Sequence, residues 1–125
     1  INMPSKNSFI SVEHYYSALY HECIHSVGAS HRLNREWISG NINFGSHEYS
    51  FEELIAEVGS AMLNNIAGIS LIEESASYIK GWLSVLENDP MQILKAAALA
   101  EKSVAYILGE HKASEETVNQ ETVDA

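Results

Sequence analysis

Residues 11–28 read SVEHYYSALYHECIHSVG, and the reading of this stretch decides the fold. Val12, Tyr15, Tyr16, Leu19, Cys23, Ile24 and Val27 recur at steps of three and four, the period of one helical face. Ser11 has the short hydroxyl side chain of an N-cap, and Gly28 is where such a helix stops. Inside the helix, His21-Glu22-Cys23-Ile24-His25 is the H-E-x-x-H pattern. A spacing of four puts both imidazoles on one face, one turn apart. Both ring nitrogens can then reach one Zn²⁺ at about 2.0–2.1 Å. Glu22, beside the first histidine, can hydrogen-bond a zinc-bound water and take its proton, while the ion lowers that water's pKa toward about 7. The His and Glu frequencies of this chain give about 0.03 accidental matches, so chance on an ordinary amphipathic helix is a small risk. The expectation is a mononuclear zinc site with His21 and His25 as ligands and Glu22 as catalytic base. Cys23, between the ligands, points to the opposite helix face and reads as a small core residue.

Upstream, residues 1–10 (INMPSKNSFI) are broken by Pro4 and small polar residues, and predict a short extended piece, at most an edge of sheet, and a loop. Downstream, residues 28–50 are rich in glycine, asparagine and serine and read as a long loop, which in a compact domain is more often functional than idle. A second helix is expected over Phe51 to Ala67, with Leu54, Ile55, Val58, Met62 and Ile66 as its stripe, Ser50 as its cap and Gly68 as its stop. A third should run from Glu73 to Leu86. Asp89 and Pro90 are the cap and first residue of a fourth, which ends at Leu108 before Gly109. The fold class is mostly α: four helices and a short N-terminal extended segment. Residues 1–110 are expected to form one domain, and residues 111–125 an acidic, disordered tail.

A catalytic zinc needs a third protein ligand and an open position. His31 completes H-E-x-x-H-x-x-G-x-x-H, in which Gly28 would let the chain turn back. That pattern also requires a methionine in a tight turn beneath the metal, and neither Met62 nor Met91 stands in one. Glu53 and Glu57 lie one turn apart on the second helix, a spacing that lets one carboxylate bind metal and the other orient a histidine.

Composition bounds the rest. The chain has 125 residues, one domain's worth, and 46% of them are apolar. Acidic residues number 17 against 7 basic, a net charge of −10, which argues against this segment binding nucleic acid or an anionic membrane. No apolar run approaches the roughly 20 residues of a membrane span. A single cysteine excludes an internal disulfide framework and fits a reducing, cytoplasmic compartment. Ile1 in place of Met leads us to expect a piece of a longer protein.

Beyond the motif, INMP, YYSALYHECIHSVG, HRLNRE, FGSHEYSFEELIAE and ASYIKGWLSVLENDPMQILKAAALAEKSVAYIL, together spanning Ile1 to Gly109, resemble the zincin-like metallopeptidase domain of ArdC-type antirestriction proteins and related phage and plasmid polyvalent proteins. Where relatives have Trp-Thr-Gly after the second histidine, this chain has Ser26-Val27-Gly28, a change beside the site and not in it. The resemblance implies an α+β zincin-like domain that hydrolyses a protein or peptide substrate with Zn²⁺. It also implies a role in antirestriction, with any DNA-binding part upstream. It ranks the third ligand as Glu53 first, then Glu57, then His31, with Glu57 orienting a ligating histidine. The competing function is a zinc-containing module that blocks a partner such as a restriction enzyme without turnover.

Four lesser signals remain. His14 lies two turns from His21, too far for the same ion. Arg32 and Arg35 could bind a substrate carboxylate, though pairing with nearby acids such as Glu36 and capping of carbonyls is the more ordinary role. His47 and Tyr49 could polarise a carbonyl or simply pack at a helix start. Tyr15, Tyr16, Tyr78, Trp82 and Tyr106 fall at helical spacing and read as core.

Overall fold

The computed structural model describes residues 1–39 and 44–110. A 3₁₀ turn at Lys6–Ser8 precedes five helices: α1 (Val12–Val27), α2 (Glu36–Ser39), α3 (His47–Ala67), α4 (Ile72–Val85) and α5 (Pro90–Leu108). There is no strand among the described residues, so the N-terminal piece makes no sheet edge. The expected tail, residues 111–125, lies outside the described residues.

The capping chemistry accounts for the helix ends. Ser11 Oγ accepts from His14 N, and Asp89 Oδ1 from Met91 N with Pro90 in the first turn. Gly68 and Gly109 close α3 and α5 at φ 76° and 79°, the left-handed region that glycine enters freely. Two expectations are corrected here. α3 begins four residues before Phe51, because Ser46 and not Ser50 is its cap: Ser46 Oγ accepts from Tyr49 N at 3.1 Å. Ser50 stands three residues before Glu53, the spacing of a capping box, but it is buried one turn inside the helix. The expected 28–50 loop is also largely structured. Leu33 N, Asn34 N and Arg35 N donate to the carbonyls of Val27, Ala29 and Gly28, folding the chain back onto the end of α1 before α2 starts. Asn34 makes that reversal at φ 51°, a conformation asparagine tolerates.

α3 is the central helix, packed against α1, α4 and α5, with α1 also touching α5. Ile24 of α1, Leu54, Ile55, Ala56, Val58 and Leu63 of α3, and Ala96, Ala100 and Val104 of α5 meet in the core. At Gly59 an added Cβ would lie 2.7 Å from Ile24 Cδ1, so the α1–α3 approach depends on a bare α3 backbone there. Trp82 packs on the core, but Tyr78 is 61% and Tyr106 37% exposed, which corrects their reading as core. Helical spacing places each on the apolar side of its own helix, α4 or α5, but does not say that a neighbour covers that position. No helix among the described residues is long and apolar enough to cross a membrane.

Candidate metal centre

The α1–α3 crossing brings His21 and His25 against Glu52, Glu53 and Glu57. His21 Nε2 lies 3.1 Å from Glu53 Oε2, His25 Nε2 lies 3.0 Å from Glu53 Oε1, and the two Nε2 atoms are 3.0 Å apart. Among the described residues, His21, His25 and Glu53 form a group whose ligand atoms all lie within 4.8 Å of one another. Donors around an ion with bonds of about 2.0–2.1 Å stand about 3.3 Å apart on a tetrahedron, close to the 3.0 Å between the two Nε2 atoms and the 3.0–3.1 Å from each to a Glu53 oxygen. The chemistry fits as well. Two imidazole lone pairs 3.0 Å apart repel unless a cation, proton or metal, lies between them.

Behind each histidine stands a further carboxylate. His21 Nδ1 lies 3.1 Å from Glu57 Oε1, the partnership expected of Glu57. His25 Nδ1 donates to Glu52 Oε2 at 2.7 Å, which sequence reasoning missed. In both rings Nδ1 is engaged and Nε2 faces the centre, which is how outer carboxylates set the tautomer of ligating histidines. The missed signal was the doublet Glu52-Glu53. Neighbouring helical residues point about 100° apart, so a doublet with one member at the centre turns the other toward a different neighbour, which must be a buried donor.

That neighbour is Arg35. Its Nε donates to Glu52 Oε1 at 2.7 Å and its Nη2 to Oε2 at 2.8 Å, while Trp37 Nε1 also donates to Oε1 at 2.8 Å. Arg35 further donates from Nη2 to the Ile24 carbonyl at 2.8 Å and from Nη1 to Ser103 Oγ at 2.9 Å. The more ordinary role for Arg35, acid pairing and carbonyl capping, is the one observed, with Glu52 as the acid. Arg32 instead donates to Ser26 Oγ at 2.6 Å. Gly28 is explained by the same cluster. Its backbone is right-handed helical at φ −76°, so no turn geometry demands glycine. A Cβ there would collide with Ile38 Cδ1 and lie 2.6 Å from Arg35 Cζ and Nη2. Glycine is present because the guanidinium passes directly over it.

Charge follows from these contacts. Burial pulls the two imidazolium forms down, but hydrogen bonds to Glu53 and Glu57 outweigh it and raise His21 to about 10, and those to Glu52 and Glu53 raise His25 to about 9. Burial pushes Glu53 up, yet both histidines bring it down to about 2, and His25 and Arg35 likewise hold Glu52 below the usual carboxylate range. Burial, then Glu22, pushes the Cys23 thiol up, which keeps it protonated and a poor nucleophile or ligand.

His21, Glu22, Glu53 and Glu57 line one groove of about 670 Å³, whose walls include Phe9, Ile10, Leu71, Tyr78 and Trp82. Glu22 is exposed, on the groove side of α1. His31 sits on the exposed turn after α1 and is not among the converging donors. His14 also lines the groove, 2.6 Å from Ser11 Oγ, and is not among the converging donors. His47 is exposed at the start of α3, whereas Tyr49 packs against Trp82 with ring centroids 5.9 Å apart. Burial, then Glu53, pushes the Tyr49 hydroxyl up.

The chain is similar to several known proteins. Two relatives are DNA primase TraC of Escherichia coli, 36% identical over 99% of this chain, and the uncharacterized protein y4eC of Sinorhizobium fredii, 40% identical over 82% of it. The chain spans only 12% and 33% of their respective lengths. Among solved structures, the Mn(II)-bound antirestriction protein ArdC of plasmid R388 matches with a TM-score of 0.66 at 35% identity, covering 87% of this chain and 40% of that one. Its metal-free form matches with a TM-score of 0.62 at the same identity, over 89% and 39%. The family model described as zincin-like metallopeptidase matches residues 1–99, and the chain belongs to that family.

Proposed function

We propose that this domain is a divalent-metal-dependent peptidase, with zinc as the expected ion. His21, His25 and Glu53 would hold the ion, Glu22 would act as general base, and the groove would take an extended stretch of protein or peptide. The observation that carries the reading is the convergence of the two Nε2 atoms and the Glu53 carboxylate, each Nε2 3.0–3.1 Å from one of its oxygens, beside a groove that Glu22 also lines. A bound ion supplies Lewis acidity, which lowers the pKa of a water toward about 7 and polarises a carbonyl. The Glu22 carboxylate accepts the proton of the attacking water and returns it to the leaving amine. Glu57 and Glu52 keep both Nδ1–H groups engaged, so that Nε2 of each histidine stays aimed inward. The apolar walls exclude water from the bound segment. No lysine or arginine lines the groove, while Glu22, Glu53, Glu57 and Glu74 do, which suits a polypeptide better than a nucleic acid.

A second reading is favoured by the solved relatives, which are named as antirestriction proteins. The domain would then be a metal-containing module of a longer antirestriction protein that contacts a basic partner such as a restriction enzyme through its acidic surface, without turnover. Glu22 separates the two. Glu22→Gln keeps the shape but cannot take the proton, so cleavage of a peptide library should fall by at least about 10²–10⁴-fold with metal content unchanged. Wild-type antirestriction by the parent protein carrying Glu22→Gln would count against the peptidase and for the binding module.

A further inference from the structure

His25 is oriented by a carboxylate that has no acceptor capacity to spare. Glu52 Oε1 accepts from Arg35 Nε and Trp37 Nε1, and Oε2 accepts from Arg35 Nη2 and His25 Nδ1, all at 2.7–2.8 Å. Four donors fill four lone-pair sites, and only an ionised carboxylate offers four acceptor sites with no donor. The arrangement cannot reorganise by rotation, because Arg35 is itself pinned by Ser103 Oγ on α5 and by the Ile24 carbonyl on α1, one residue before His25. Arg35 and Glu52 are 5% and 4% exposed, so water does not compete for these positions.

We propose that Arg35 and Glu52 form a buried relay that dictates the tautomer of His25, holding its hydrogen on Nδ1 and its Nε2 lone pair toward the centre, and that this relay sets the metal affinity of the site. Arg35 and Glu52 are thus positioning residues, acting through His25 without touching ion or substrate. The inference rests on the metal reading proposed above for its affinity arm, and on donor counting alone for its tautomer arm. It also gives Gly28 and Trp37 a role: the first leaves room for the guanidinium, and the second fills the remaining acceptor site on Oε1.

Glu52→Gln is the decisive variant. Glutamine offers one carbonyl oxygen and one NH₂ to the same four donors, so at least two of them face a donor whichever way the amide turns. With the NH₂ toward His25, the clash at the ring is relieved when the ring moves its hydrogen to Nε2, which removes the inward lone pair, while Arg35 Nη2 still faces an N–H. Ring ¹⁵N spectra of the metal-free protein, recorded above the titration of both histidines, should show neutral His25 as the Nδ1–H form in the wild type and a shift toward Nε2–H in Glu52→Gln. Titration with Zn²⁺ and with Mn²⁺ against a competing chelator should show about 10–100-fold weaker binding in the variant. Retention of both the Nδ1–H form and wild-type affinity for the two ions overturns the proposal. If Glu52→Gln does not fold, Arg35→Lys carries the test. Lysine keeps the charge but cannot fork onto both oxygens. It should therefore loosen binding of both ions several-fold, and unchanged affinity there overturns the relay. A wild-type protein that binds neither ion would defeat the metal reading, while the ring spectra would still decide the relay.

Discussion

The two histidines of α1 are one turn apart and face the same centre, yet their surroundings are opposites. His21 stands at the groove wall, its Nδ1 resting on Glu57 at 3.1 Å. His25 is backed by Glu52, which is tied by Arg35 and Trp37 to α1, α5 and the turn after α1. The difference separates two jobs that a metal site combines. The His21 side faces the groove, whereas the His25 side is tied to the buried Glu52–Arg35 pair. Changes on the two sides should therefore split: those behind His25 cost folding, and those behind His21 cost mainly metal.

Arg35→Ala should show the largest effect. It strands the buried Glu52 carboxylate and frees the Ile24 carbonyl and Ser103, and loss of one partner of a buried pair costs about 3–5 kcal/mol. Denaturant unfolding of the metal-free protein measures it, and a loss below 1 kcal/mol would erase the proposed contrast between the two sides.

Gly28→Ala should follow, at roughly 1–3 kcal/mol, the usual cost of overpacking. Its backbone angles suit alanine, so the cost comes from Arg35 and Ile38. In an Arg35→Ala background most of the penalty should vanish, and a double-mutant cycle reads that coupling. Additive losses would mean that the guanidinium is not what the glycine makes room for.

Glu57→Ala tests the other side. Metal affinity should fall about 10–100-fold, while the metal-free protein loses less stability than Arg35→Ala does. His31→Ala, which removes an exposed side chain outside the converging group, should leave the affinity unchanged.

The last test is one of pH. Metal-free His21 and His25 are raised to about 10 and about 9, so between the unfolded value near 6.5 and those values the folded state holds more protons than the unfolded one. Their contribution is complete below about pH 6.5 and is lost as pH climbs through 9 to 10. Metal-free stability should decline over that window. A bound ion replaces the protons, so affinity should rise with pH and the decline should flatten in the loaded protein. A metal-free midpoint that climbs between pH 7 and pH 10 would contradict this sign.

Much of this was legible in the chain because it is local. Ser11, Asp89-Pro90, Gly68 and Gly109 mark helix ends through hydrogen bonds that span a few residues, and the one-turn spacing of His21 and His25 is a property of any helix. Where the expectations missed, the competition was also between local signals: Ser46 and Ser50 both suit a cap, and only the buried position of Ser50 excludes it. Tyr78 and Tyr106 share the spacing of core residues but stand on outer helices, and spacing carries no information about what covers a face.

The amino-acid sequence by itself therefore determined the four long helices, most of their ends and the pair of imidazoles presented by α1, since each depends on residues within a turn or two. Only the tertiary structure decided which carboxylate meets which ring nitrogen. Glu53 faces both Nε2 atoms, and Glu52 and Glu57 back the two Nδ1 atoms, because of how α3 crosses α1. Arg35 reaches Glu52 across 17 residues and Ser103 across 68, separations at which periodicity and spacing are silent. A buried carboxylate must find its donors wherever the packed chain brings them, and that requirement, invisible along the sequence, joins His25 to the core.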